Sequence, residues 1–340
     1  MGLKLRDSVM GLRVGAKILP TEIIGGAGIK TGNTYYVIKK TAPYYGQFVN
    51  DFGVDYSDGT NSICADNGVS TSDPVIAALN TGIQDALDKC VANRGDYVII
   101  MPSQDDYDIA VALTCTKKGV HIICPEGLGN EIGSAEAARI HQLSSATIFA
   151  VANTAIEIAG ITFKNYAGKS AITLAATANG VATYGQNIHN NTFKMTVTTA
   201  PNEPMILGTS DGGAWGSIER NWFAAYAGTG QTVASVISLA AQATSARIRL
   251  NEFSCGDANT YTTVISNLAV KGRTDFNTIS RGGGTGGLCT ITKAITMSAE
   301  GACIGNFYAG LTTTFVTGNT ADSGLVENYS ALNGGTVATS

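Results

Sequence analysis

The sequence predicts an all-β solenoid, a parallel β-helix, and three observations predict it. A six-residue phrase recurs as Ile188-His-Asn-Asn-Thr-Phe193, Ile218-Glu-Arg-Asn-Trp-Phe223 and Ile248-Arg-Leu-Asn-Glu-Phe253, with weaker copies at 274–279, 303–308 and 325–330. An earlier copy at 158–163 carries Ile161 in the Asn place, and successive copies start 30, 30, 30, 26, 29 and 22 residues apart. Such a period marks one supersecondary unit stacked on itself, since a single copy cannot bury its own apolar face. Second, the Asn and the following Phe share strand parity while the leading aliphatic is out of phase, which requires a tight turn between two strands. Third, charged residues are only 14% and glycines number 41, a composition suited to stacked turns and flat side-chain layers.

Along the chain, residues 1–35 show no period and read as an extended N-terminal arm. Lys4, Arg6, Arg13 and Lys17 stand there against Asp7 alone in the first twenty residues. Two readings stand side by side: a basic arm that docks on a larger assembly, and a terminus of solvated charges. Residues 36–72 read as a short strand segment rich in Tyr followed by a Gly/Ser/Asp/Asn linker over 54–72. A helix is expected at about 74–93. Asp73 is its cap, Pro74 its first residue, and Ile76, Leu79, Ile83, Leu87 and Val91 lie on one face before Asn93-Arg-Gly95 closes it. The solenoid then runs over 73–340 with this helix at its start, in about eight coils roughly 4.8 Å apart and so near 40 Å long.

Within a coil, the phrase predicts a strand, a two-residue corner and a second strand. The corner asparagines Asn191, Asn221, Asn251, Asn277, Asn306 and Asn328 are expected to bond one above another as a ladder. Phe163, Phe193, Phe223, Phe253 and Ile279 form the expected core stack. The segments 198–204, 208–216 and 281–287 read as loops projecting from one side of the rod.

These features resemble the pectate-lyase-like superfamily of right-handed parallel β-helices, which includes many phage tailspikes and virion proteins. The resemblance lies in the stacked Asn corner and in the start: a helix, Tyr97-Val-Ile-Ile-Met-Pro102, then Leu113-Thr-Cys115 and Gly119-Val-His-Ile-Ile-Cys124. It covers about residues 73–335 and implies a right-handed helix whose open end is covered by the capping α-helix. It implies little about activity, because this scaffold carries many functions.

Chemistry is sparsely signalled. The acids of the coiled region include Glu157, Asp211, Glu219, Glu252, Asp257, Asp275 and Asp322, and Glu219 and Glu252 differ in phase by three positions. The family's polygalacturonase and lyase phrases are absent. His189 is expected at an outward corner as a surface residue. Asp105-Asp-Tyr-Asp108 lacks the Gly and distant Glu of a calcium loop and reads as a polar turn. Trp222, Phe307 and Tyr329 face outward by parity. The seven cysteines are odd in number with no C-x-x-C pair, and read as small hydrophobes in a reducing compartment, without disulfide framework or zinc site. No cofactor is expected. A net charge of −4 shows no nucleic-acid footprint, and no apolar run or signal-type segment suggests a membrane.

With the resemblance, the expected function is a structural virion protein of a phage, a β-helical capsid decoration or head or tail spike at the virion surface, made in the host cytoplasm. The short coils and a last coil running almost to Ser340 favour it over an enzyme. Expected partners are other virion proteins of capsid or tail and further copies of the chain, a trimer being favoured, with a surface glycan as a candidate ligand. The alternative is a tailspike-type polysaccharide depolymerase or receptor-binding spike; an extracellular adhesin is third.

Overall fold

A computed structural model describes residues 32–38, 63–64, 81–103, 106–124, 138–143, 146–165, 169–175, 183–195, 203–225, 230–256, 259–281, 283–284, 287–309, 312–317, 325–326, 329–330 and 335–336. These build an all-β parallel β-solenoid of the right-handed type, with very little helix. Three sheets of parallel strands wrap one core. The first face runs from Tyr97–Ile100 to Leu325–Val326, the second from Tyr107–Ile109 to Tyr329–Ser330, and the third from Leu113–Cys115 to Thr312–Thr317. Each circuit visits the first, second and third faces in turn.

The phrase is in register from coil to coil. Ile158, Ile188, Ile218, Ile248, Thr274 and Cys303 align along the first face, and Phe163, Phe193, Phe223, Phe253, Ile279 and Tyr308 along the second. All are buried. Rings Phe163, Phe193, Phe223 and Phe253 stack at 4.8, 4.7 and 4.7 Å with nearly parallel planes, and Phe149 meets Phe163 edge-on at 6.0 Å. The 4.7 Å spacing is the strand spacing itself, so the sheet imposes the stack.

Two rows of left-handed backbone bound the first face. Gly160, Asn190, Arg220, Leu250, Phe276 and Gly305 turn the chain into the second face. Ala155, Gly185, Trp215, Ser245 and Lys271 turn it out of the third, each five residues before its counterpart. In each row turning amides bond a carbonyl of the next coil, such as Arg220 N to Arg249 O in the first and Trp215 N to Thr244 O in the second. The residue in the unusual conformation is thus the one before the ladder Asn. An L side chain there costs about 1–2 kcal/mol, which Gly and Asn avoid most easily.

Three expectations are corrected. The segment 208–216 is not a projecting loop: Gly208 ends the strand Ile206–Gly208, and Gly212–Ala214 is a buried strand paired with Thr183–Tyr184. Its glycines serve close approach, for a Cβ at Gly212 would come within 2.1 Å of the Leu174 carbonyl oxygen. The expected linker contains Ile63–Cys64, which pairs with Thr34–Ile38, itself paired in parallel with Tyr97–Ile100, so the first sheet extends beyond the solenoid's own strands. The described helix is Thr81–Lys89, with Ile83, Ala86 and Leu87 in the core, and Val91, past its end, is 48% exposed rather than on the buried face. The expected helix start, with Asp73, Pro74, Ile76 and Leu79, lies outside the described residues. Asp96 ties these pieces together: fully buried, it accepts from Arg94, from Val91 N at 2.6 Å and from Asn33 N at 2.7 Å. Burial opposes its ionisation, but these donors hold the carboxyl below its ordinary value.

Candidate functional site: the ladder corner and the charged first face

The corner between first and second faces is where the phrase concentrates polar groups. Inside it, Asn191, Asn221, Asn251, Asn277 and Asn306 are at most 2% exposed. Each Oδ1 accepts the backbone N–H of the residue one coil back, 2.9–3.0 Å away: Asn191 from Ile161, Asn221 from Asn191, Asn251 from Asn221, Asn277 from Asn251, Asn306 from Asn277. Each Nδ2 donates to a carbonyl of the previous coil, that of Ile158, Ile188, Ile218, Ile248 and Thr274 in turn. Ile161 needs only its backbone to begin the ladder. Asn328, and the basic Lys4, Arg6, Arg13 and Lys17, lie outside the described residues.

Outside the same corner, the first face carries a charged stripe. Glu157 receives His121 Nδ1 at 2.5 Å on one oxygen and His189 Nε2 at 2.7 Å on the other, one imidazole from the coil on either side. Burial opposes ionisation of Glu157, yet the two imidazoles more than offset it and hold its carboxyl at about 2. Tyr97 stacks on His121 at 4.4 Å, and Asn190 Nδ2 lies 3.1 Å from His189 Nδ1. His189 is thus no plain surface residue. A carboxylate-oriented imidazole is also the arrangement of a general base, but here one carboxylate is shared by two rings, and the trio clamps three coils together. The parity signal was in the sequence; the pairing needed the register of Glu157 with His121 and Asn187.

Further along, Arg249 binds Glu219 at 2.5 Å, Arg220 lies 3.6 Å from Glu219, and Arg273 binds Asp275 at 3.0 Å. Burial pushes the Asp275 carboxyl up despite Arg273, Arg249 and Arg247, and its Oδ1 is buried without a hydrogen-bond partner. Arg247 and Arg273 are directly opposite in register. Glu219 and Glu252, the carboxylates weighed in the sequence, stand on the first and second faces respectively.

A groove of about 270 Å³ sits on the outer corner, lined by Asn190, Arg220, Trp222, Leu250 and Glu252 with the ladder amides behind. Trp222 Nε1 donates to Ser254 Oγ at 3.3 Å. On the second face nearer the N-terminus, Asp106 binds Arg139 at 2.9 Å and Lys164 at 2.7 Å, and His141 Nδ1 meets Asp108 at 2.8 Å. Asp106 and Asp108 are therefore engaged by Arg139, Lys164 and His141 rather than left open for a calcium ion, and Asp105 lies outside the described residues. Among the described residues no group of His, Cys, Asp or Glu is arranged to hold a metal ion, and no helix is long and apolar enough to cross a membrane. Cys90, Cys115, Cys124, Cys255, Cys289 and Cys303 are buried and form no disulfide, and burial pushes the Cys90 and Cys303 thiols up to about 12, far from nucleophilic thiolate.

No family model, no curated protein and no solved structure matches this chain.

Proposed function

We propose that this chain is a structural protein of a phage virion, a stiff solenoid displayed at the particle surface as a capsid decoration or as a head or tail spike, and held there by its N-terminal segment. The observation that carries this reading is the unbroken stack: the ladder and the aromatic column run through successive coils, each satisfied only by its neighbours. Such a body serves by standing rigid and resisting proteolysis. The Asn corner and the opening strand pattern, similar to pectate-lyase-like β-helices and their virion branch, support it. Lys4, Arg6, Arg13 and Lys17 are the docking residues of this reading, and no cofactor enters it. Cryo-electron microscopy of particles assembled with the full chain and with residues 1–35 deleted tests it. Rod density at the surface that disappears on deletion is expected; a truncated chain that still assembles retires the anchor, and a rod absent from particles retires the whole reading.

One observation favours a second reading, a spike that binds or cleaves glycan. The corner groove combines an aromatic plane, Trp222, with Arg220, Glu252 and Asn190, groups able to stack on a sugar ring and bond its hydroxyls. Binding to an oligosaccharide array, and reducing-end release from capsular polysaccharide, separate the two readings.

A further inference from the structure

We infer that the ridge between the first and second faces is the contact through which copies of this chain assemble side by side, the first face of one against the second face of the next. The inference stands independently of the virion reading.

The ridge bears apolar side chains that the described residues leave largely uncovered. Leu250, Phe276 and Phe307 are 42%, 55% and 41% exposed and occupy consecutive coils. Leu250 and Phe276 also have left-handed backbone (φ 57° and 54°), in a row whose other members are Gly160, Asn190, Arg220 and Gly305. Branched or aromatic side chains there incur strain, and exposure earns them no burial. The Phe276 ring lies over Gly305, where a Cβ would come within 2.5 Å of it, so the ring is laid along the ridge.

The flanks decide the occupant. On the first face the strands leading into the ridge carry Arg247, Arg249 and Arg273, with Arg220 on the ridge itself, against the two carboxylates Glu219 and Asp275. Arg247 opposite Arg273 is a like-charge pair that costs stability in an isolated rod. On the second face the ridge is bordered by Trp222, Glu252 and Phe307. Arginine against aromatic rings and a carboxylate is a favourable pairing, and Trp, Phe and Arg are the residues enriched in interfaces. Arg249 and Glu252 belong to one coil, so two parallel rods at equal height bring the basic flank of one to the acidic and aromatic flank of the other. The two flanks differ, so the contact is heterologous, and a rotation that closes gives a ring with the ridges inward. A glycan seated in the corner groove would leave Phe276 and Phe307 uncovered, whereas a second copy covers the whole row.

Native mass spectrometry and sedimentation of the full chain test this. The wild type is expected to form a closed oligomer. Leu250→Asn with Phe276→Asn keeps the fold, because Asn tolerates the left-handed turn, and should raise the dissociation constant at least about tenfold. Arg247→Glu should also weaken assembly, and adding Glu252→Arg in the same chain should restore it. A wild-type chain that stays monomeric overturns the proposal. So does an oligomer indifferent to the Asn pair, or a monomer whose ridge binds oligosaccharide instead.

Discussion

Both corners bounding the first face turn the chain with one left-handed residue per coil, yet only the corner entering the second face stacks a side chain inside. At that corner, Asn191 through Asn306 serve an amide and a carbonyl in neighbouring coils. At the opposite corner, Ala155, Gly185, Trp215 and Ser245 bond the next coil through their backbone amides. One corner therefore depends on side-chain identity and the other on backbone conformation. The difference teaches where mutation should hurt: inward polar positions at the first, closely approached glycines near the second.

The largest effect should come from Asn221→Leu. It leaves Asn191 N–H and the Ile188 carbonyl without their partners inside the core, at about 1–3 kcal/mol per orphaned group, so a loss of about 3 kcal/mol is expected in chemical denaturation. An unchanged midpoint would mean the ladder is ornamental and the two corners are equivalent. Next is the Glu157 clamp on the face between them. Its folded carboxyl lies at about 2 against an ordinary 4.5, so the stability it supplies is present above pH 4.5 and lost as pH falls towards 2. Glu157→Gln should flatten that acid limb, a change of at most about 3 kcal/mol, read as melting temperature from pH 6 to pH 2. Gly212→Ala, approaching the second corner, should cost about 2 kcal/mol, because the new methyl meets the Leu174 carbonyl, which only backbone movement can relieve. The smallest effect has the opposite sign. Trp215 is 69% exposed and left-handed, so Trp215→Asn should raise stability by up to about 1 kcal/mol; a loss would show that the indole has a role at that corner.

The same contrast explains what was legible in the sequence. The ladder corner could be read because one residue type repeats at one phase, and Phe193, Phe223 and Phe253 mark the next strand. The opposite corner could not, since Ala, Gly, Trp, Ser and Lys share no chemistry and are united only by φ. For the same reason Gly208–Gly216 looked like a loop: glycine signals both a free turn and a close approach, and only Leu174 packed against Gly212 separates them. The His121–Glu157–His189 clamp stayed hidden because its members lie 36 and 32 residues apart, spacings that differ from the regular 30. The exposed row of Leu250, Phe276 and Phe307 was half visible: parity sent Phe307 outward, but nothing in the letters placed Leu250 and Phe276 at left-handed turns.

The direction of the ladder has a consequence for how this molecule can change length. Every rung from Asn191 to Asn277 takes an amide from the coil behind and offers its own amide to the coil ahead, so the upper and lower surfaces of these coils carry matching connectors. Removing or duplicating the segment between Asn191 and Asn221 would rejoin the same connectors, with Phe193 replaced by an equivalent Phe223. The rod is thereby a ruler graduated in coils. Gene duplication can lengthen or shorten its reach by one strand spacing at a time while both ends keep their own chemistry.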